Sequence, residues 1–237
     1  MILCLDSGNS RIKWGLWSVG GWLAQGAVPH AAVAELAALP ENYPVPQRIL
    51  LANVAGTDAA AAISTALGPW GAAIEQIRSS AYCAGVYNDY QNPAQLGVDR
   101  WCALLGAHRL LDGAAIVVMA GTATTIDTLD AGGHFRGGLI LPGVELMRRS
   151  LARDTAALPL AEGVPTGWPR CTADAIISGV VDAQVGAIER AWARLDAGAI
   201  CLLSGGDASR LAPHLNIPYR LVDHLPLFGL LELAQQT

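Results

Sequence analysis

The sequence predicts an α/β protein made of two similar halves, and three observations support this. Short apolar runs without polar alternation, at residues 1–5, 114–119 and 199–203, read as strands buried on both faces. Each runs into a turn of small residues: Asp6-Ser-Gly-Asn9, Ala120-Gly-Thr-Ala-Thr124 and Ser204-Gly-Gly-Asp207. Alanine-rich stretches with helical spacing lie between the strands, which points to alternating layers.

In the first half, Met1 to Leu5 is the opening strand, and Arg11 to Trp17 alternates polar and apolar as a hairpin partner should. Gly20-Gly21 turns the chain and Trp22 to Val28 makes a third strand. Ala31 to Leu39 reads as a short helix stopped by Pro40, with a loop through Pro46. Gln47 to Val54 is a strand, Thr57 caps an alanine-rich helix to Leu67, and Ala72 to Ile77 adds another strand. Tyr87 to Gln95 is polar and turn-rich. Asn92-Pro93 reads as an N-cap followed by proline at N1, opening a long helix to Leu111. Val98, Trp101, Cys102, Leu105, His108 and Leu111 recur on its buried face.

The second half repeats the opening. Ala114 to Met119 is a buried strand, Thr125 to Leu129 its partner, and His134 to Leu141 follows the Gly132-Gly133 turn. Laying Gly8 over Gly121 places Asp6 on Met119 and matches strand-turn-strand-turn-strand in both halves. Two unrelated hairpins are the alternative. A helix from Pro142 to Leu151, a mobile connection over 154–170 and a long helix from Thr172 to Leu195 come next. A strand from Ala199 to Leu203, a last short strand within Pro213 to Leu221 and a helix from Leu225 to Gln235 complete the chain. The division expected is 1–112 and 113–237.

Bulk properties narrow the function. The 237 residues are 52% hydrophobic and only 15% charged, against about 25% in ordinary soluble domains. A net charge of −5, with no lysine or arginine cluster, argues against a nucleic-acid partner. Five scattered cysteines with no C-x-x-C pair suit neither a disulfide framework nor a zinc site, so a reducing, cytoplasmic setting is expected. No apolar run approaches the length of a membrane span.

Three glycine turns after buried strands suggest a cleft between two lobes that grips a polyphosphate. An acidic residue closing a strand before such a turn suits a phosphate and its metal ion, with Asp6 facing the hydrated cation. The same stretch also reads as an ordinary hairpin. Neither a P-loop nor a G-x-G-x-x-G fingerprint is present. Leu96-Gly-Val-Asp-Arg100 sets a carboxylate in the first turns of a helix, where it could accept a hydroxyl proton while Arg100 binds an anion. A solvated Asp-Arg pair is the other reading. His30, His108, His134, His214 and His224 have no metal-ligand spacing and read as structural or exposed.

Five motifs occur together and in order: Asp6-Ser-Gly-Asn-Ser-x-x-Lys13, Gly97-Val-Asp-Arg100, Gly121-Thr-Ala-x-Thr-x-Asp127, Gly137-Gly-x-Ile-x-Pro-Gly143 and Ser204-Gly-Gly206. This set resembles the type III pantothenate kinase family, the CoaX type, also called the Bvg accessory factor family. The resemblance implies a two-lobed actin-like ATPase fold with duplicated RNase H-like domains. It also implies transfer of the γ-phosphoryl of ATP to the primary hydroxyl of pantothenate, in the cytoplasm, by a homodimer whose partner subunit completes the pantothenate pocket.

Carried over by residue, the resemblance implies that Asp6, Ser7, Gly8, Asn9, Ser10, Arg11, Ile12 and Lys13 form the first phosphate loop, with Asp6 orienting Mg²⁺. Gly121 and Thr122 would contact ATP from a second loop, and Gly205 and Gly206 would lie near the adenosine. Asp99 would be the general base. Tyr90, Gly97, Val98, Asp99, Arg100 and Thr172 would hold pantothenate. Phosphoryl transfer needs positioning and charge neutralisation rather than covalent chemistry, which agrees with these residues.

Met119 is the clear departure from the family pattern; Ser7 and Ser10 also stand where isoleucine or valine and threonine are frequent, and Ser10 keeps the hydroxyl. Met119 stands where many members carry an aspartate that binds a monovalent cation, K⁺ or NH₄⁺. A thioether is a poor ligand for such a hard ion, so the ion is either held by other oxygens or its requirement is weakened or lost. Two other functions fit the same residues: an actin-fold phosphotransferase with another acceptor, and a nucleotide-binding regulatory protein without turnover.

Overall fold

The computed structural model describes residues 1–236, which fall into two compact units. The first unit takes the chain up to Asp112 and again from His224 onward; the second is Gly113–Asp223.

In the first unit, β1 (Ile2–Ser7), β2 (Arg11–Ser18), β3 (Gly21–Pro29), β4 (Arg48–Asn53) and β5 (Ile74–Gln76) form a sheet in the order β3-β2-β1-β4-β5. β1 pairs antiparallel with β2 and parallel with β4. Its unbroken apolar run follows from burial on both sides. Leu3 and Leu5 pack with Ile12, Leu16 and Ile63 on one face, and Cys4 packs with Leu50, Ala52 and Cys102 on the other.

Local chemistry moved several expected boundaries. The helix expected to stop at Pro40 is a 3-10 segment, His30–Ala37, followed by α1 (Ala38–Asn42). Pro40 sits in the first turn of α1, where an amide proton is not needed, so it starts a turn rather than ending one. Thr57 does not cap α2 (Thr57–Ala66) but is its first residue; Gly56, at φ +92°, precedes it. Between β5 and the next helix lies a small hairpin, β6 (Tyr82–Cys83) and β7 (Val86–Asn88), within a stretch read as turns.

Asn92 does act as a cap, accepting from the Ala94 amide, but it caps a single 3-10 turn, Pro93–Gln95. Leu96 and Gly97 are extended, and α3 (Val98–Leu110) begins only after them. α3 is also not one-faced: Val98 and every residue from Arg100 to Ala107 are buried.

The second unit is built from β8 (Ala115–Ala120), β9 (Ala123–Leu129), β10 (His134–Pro142), α4 (Val144–Asp154), α5 (Thr172–Trp192), β11 (Ile200–Ser204), α6 (Ala208–Leu211) and β12 (Tyr219–Leu221). Residues 155–171 hold no helix or strand. The strands run in the order β12-β11-β8-β9-β10, with β8 antiparallel to β9 and parallel to β11. That is the strand order of the first unit, in the same directions, so the repeat seen around Gly8 and Gly121 extends to whole sheets. Ile116, Val118 and Ile126 pack against Val181, Val185 and Ile188 of α5.

The last helix, α7 (Leu225–Gln235), departs from the expected division at residue 112: it belongs to the first unit, not to the half in which it is encoded. Leu227, Leu230 and Leu231 complete the core around Cys4, Leu50 and Cys102. Two glycines make the approach of α3 and α7 possible. An added Cβ at Gly229 would lie 1.8 Å from the Cys102 carbonyl, and one at Gly106 would lie 2.5 Å from that of Leu225.

Candidate active site

The turn after β1 is held from three sides. The Val54 amide donates to the Ser7 carbonyl at 3.0 Å, and the Gly8 amide donates to the Arg11 carbonyl at 3.1 Å. His30 Nε2 lies 2.7 Å from the Gly8 carbonyl. Asn9, Ser10 and Arg11 are exposed at the tip.

Behind the tip, Asp6 is 3% exposed and faces its cross-strand partner Lys13, whose Nζ is 3.5 Å from Asp6 Oδ2. Asp6 Oδ1 and Ser7 Oγ are buried without a hydrogen-bond partner. Buried polar atoms are nearly always partnered, so these two orphans, one on each face of the strand end at the glycine turn, make it a candidate ligand site. Burial pushes the Asp6 carboxyl up to about 6; nearby Asp99 adds to the rise and Lys13 opposes it. A carboxylate held this way gains from a divalent cation, and a hard oxygen donor suits Mg²⁺. Ile12, assigned to this loop from the sequence, points elsewhere: it is fully buried in the apolar core and offers only its backbone.

Asp99 is half-buried in the first turn of α3. Its side chain folds back over the helix start, since a Cβ at Gly97 would lie 2.6 Å from Asp99 Oδ1. Glycine at 97 therefore leaves the carboxylate room. Arg100 is 5% exposed, donates from Nη1 to the Tyr90 hydroxyl at 3.0 Å, and stands 5.7 Å from the centre of the Tyr90 ring. Asp6, Tyr90, Asp99 and Arg100 are thus gathered in one unit. Val98 is buried and contributes no exposed side chain.

The second unit carries the equivalent turn. The Gly121 amide donates to the Ala123 carbonyl at 3.1 Å, so this turn is one residue shorter than that at Gly8. Gly143 packs directly on it: its amide donates to the Thr122 carbonyl at 2.9 Å, and an added Cβ would lie 1.9 Å from the Gly121 carbonyl. Gly205, at φ +106°, approaches the Ala120 carbonyl just as closely, and the Asp207 amide donates to that carbonyl at 3.1 Å. The turns at Gly121 and Gly205 therefore meet at the end of β8. Thr122 and Gly206 are exposed there, while Thr124 Oγ1 and Thr125 Oγ1 are buried and unpartnered.

Met119 pairs across the strands with Thr125 on one side and Ser204 on the other. Thr172, the first residue of α5, lines a cavity of about 540 Å³ with Met147, Ser150 and Leu151 of α4.

Sequence reasoning left His30 among the dispersed histidines. Its place was readable from hairpin register: β2 and β3 pair Arg11 with Pro29, so residue 30 falls beside the turn at residues 8–10. The facing of Met119 by Thr125 needed the actual length of the second turn.

Two sheets of one topology, each ending its central strand in a glycine turn, define the actin-like ATPase fold, and the carboxylates gathered at the first turn suit a phosphotransferase. The same fold occurs in a Campylobacter jejuni protein described as a candidate Baf-family transcriptional activator, at TM-score 0.66 and 20% identity over 98% of this chain and 97% of that one. It occurs also in the activator of the 2-hydroxyisocaproyl-CoA dehydratase from Clostridium difficile with bound ADPNP, at TM-score 0.53 and 13% identity over 98% and 91% of the two chains. Residues 2–194 match the family model for type III pantothenate kinase. A type III pantothenate kinase from Dechloromonas aromatica is 57% identical over the full length of both proteins. This chain belongs to the type III pantothenate kinase family.

Proposed function

We propose that this chain uses ATP to phosphorylate the primary hydroxyl of pantothenate, the first step of coenzyme A biosynthesis. Membership of the family supports the reaction. The single structural observation behind the assignment of residues is the pair of buried, unpartnered oxygens, Asp6 Oδ1 and Ser7 Oγ, at the Gly8 turn.

Residues Asp6 to Lys13 would hold the phosphates, with Ile12 acting through its backbone alone. Asp6 would orient hydrated Mg²⁺, which when bound neutralises charge on the phosphate oxygens. Asp99 would take the proton of the pantothenate hydroxyl as that oxygen bonds to the γ-phosphorus and the bond to the ADP oxygen breaks. Tyr90 and Arg100, already paired, would fix the acceptor, with the backbone of Gly97 and Val98 beneath. Thr172 is the candidate substrate contact of the second unit. Gly121, Thr122, Gly205 and Gly206 are its candidate nucleotide contacts.

A carboxylate-held monovalent cation does not fit. Met119 and Thr125 offer a thioether and a hydroxyl where the first unit has Asp6 and Lys13. No step is assigned to such an ion.

A homodimer is the assembly proposed. Leu146, Leu160, Val164 and Trp168 of the second unit are exposed, Trp168 at 89%, which suits a surface that a second copy covers. A cytoplasmic setting is consistent with five free cysteines, three of them buried. No helix among the described residues is long and apolar enough to cross a membrane.

The test is ADP release measured with a coupled assay, with and without pantothenate and with and without K⁺. Turnover that depends on pantothenate is expected. ATP hydrolysis indifferent to pantothenate over a wide concentration range would overturn the acceptor.

A further inference from the structure

We infer that His30 is a positioning residue that aims the Asn9 amide at a bound phosphate. This role rests on the nucleotide reading of the Gly8 turn. A trans peptide is planar, so each carbonyl points opposite to the amide of the residue that follows. The Ser7 carbonyl is drawn toward Val54, and the Gly8 amide accordingly points away, to Arg11. The next peptide has no ladder partner of this kind; its carbonyl, that of Gly8, is taken by His30 Nε2 at 2.7 Å. The Asn9 amide must then face the side opposite His30, at the exposed tip of the turn.

The histidine itself is rigidly delivered. Pro29 ends β3 opposite Arg11, with φ −64°, and the 3-10 segment begins at His30. A carbonyl only accepts, so Nε2 carries the proton and donates. Glycine at position 8 matters for the same reason: without a side chain its peptide could rotate, and His30 removes that freedom before the ligand arrives. The imidazole touches no substrate; it acts through one peptide plane.

The experiment compares the full chain with His30→Ala and His30→Gln, the latter retaining an amide donor. KM for ATP and for pantothenate, kcat and thermal midpoint are measured, together with ¹⁵N spectra during titration with Mg·ADP. His30→Ala is expected to raise KM for ATP about tenfold, the worth of one hydrogen bond to a charged group, to leave KM for pantothenate unchanged, and to lower the thermal midpoint by no more than the few degrees one part-buried hydrogen bond is worth. His30→Gln is expected to recover most of the loss. In the unsubstituted chain the Asn9 amide resonance should move downfield on Mg·ADP binding.

An unchanged KM for ATP in His30→Ala overturns the role, as does a parallel rise in both KM values with a lower midpoint. If His30→Ala does not fold, an Asn9 resonance that stays still in the unsubstituted chain overturns it alone. A chain that binds Mg·ADP through Asn9 but never phosphorylates pantothenate sinks the proposed reaction and supports this inference.

Discussion

Asp6 and Met119 occupy equivalent places in the two units, each two residues before a turn glycine at the end of the central strand. Their neighbours differ: Asp6 faces Lys13, and Met119 faces Thr125. The first unit has an ion pair at this point, and the second has two neutral groups there. Under the proposed function, the charged groups for phosphate and metal lie at the first turn.

Activity should then be insensitive to monovalent cations. Replacing potassium by tetramethylammonium in the ADP-release assay is expected to leave kcat and KM for ATP unchanged. Met119→Asp should make turnover respond to potassium, because it restores an oxygen ligand for a hard cation. A wild-type chain that stops without potassium would contradict this.

Asp6 gives a pH dependence whose sign can be worked out. Its folded carboxyl titrates at about 6, above the ordinary 3.8. The folded state thus holds this proton more tightly than the unfolded state. The group's stabilising share is complete below 3.8 and fades as pH rises through 6, a loss of about 3 kcal/mol. Asp6→Asn should therefore raise the thermal midpoint of the metal-free protein at pH 8, and the advantage should vanish near pH 4. The same variant should lose Mg-dependent nucleotide binding.

Asp99→Asn should keep the fold and lower kcat by about 10²–10⁴, the usual worth of a general base. It should also let Asp6 ionise at lower pH, because the Asp99 charge is one cause of the Asp6 rise. Carbonyl-region infrared difference spectra of the Asp6 carboxyl, compared between the variant and the unsubstituted chain, check the second effect independently of turnover.

Gly229→Ala should destabilise the protein by at least about 1–3 kcal/mol, as its methyl would sit 1.8 Å from the Cys102 carbonyl. Gly186→Ala, on an exposed turn of α5 with nothing within 4 Å, should instead stabilise by about 0.5–1 kcal/mol. Urea midpoints of both variants measure the contrast.

The sequence by itself determined the strands and turns that carry the chemistry. Leu3, Leu5, Val117 and Leu202 lie in runs too short and too apolar for anything but buried strands, and the glycines that follow them mark close backbone approach. The repeat was legible for that reason, since each half must satisfy the same local rules. Tertiary structure alone decided three things. α7 belongs to the first unit because Gly106 and Gly229 let two helices touch, and such a contact spans more than a hundred residues. α3 starts at Val98 rather than at Pro93 because Leu96 is drawn into the core in an extended conformation. The Asp6 carboxyl is raised by its burial, with the Asp99 charge adding to the rise, because packing and distance set these effects. Spacing along the chain encodes hydrogen bonds between neighbours, whereas the energy of a buried charge depends on everything packed around it.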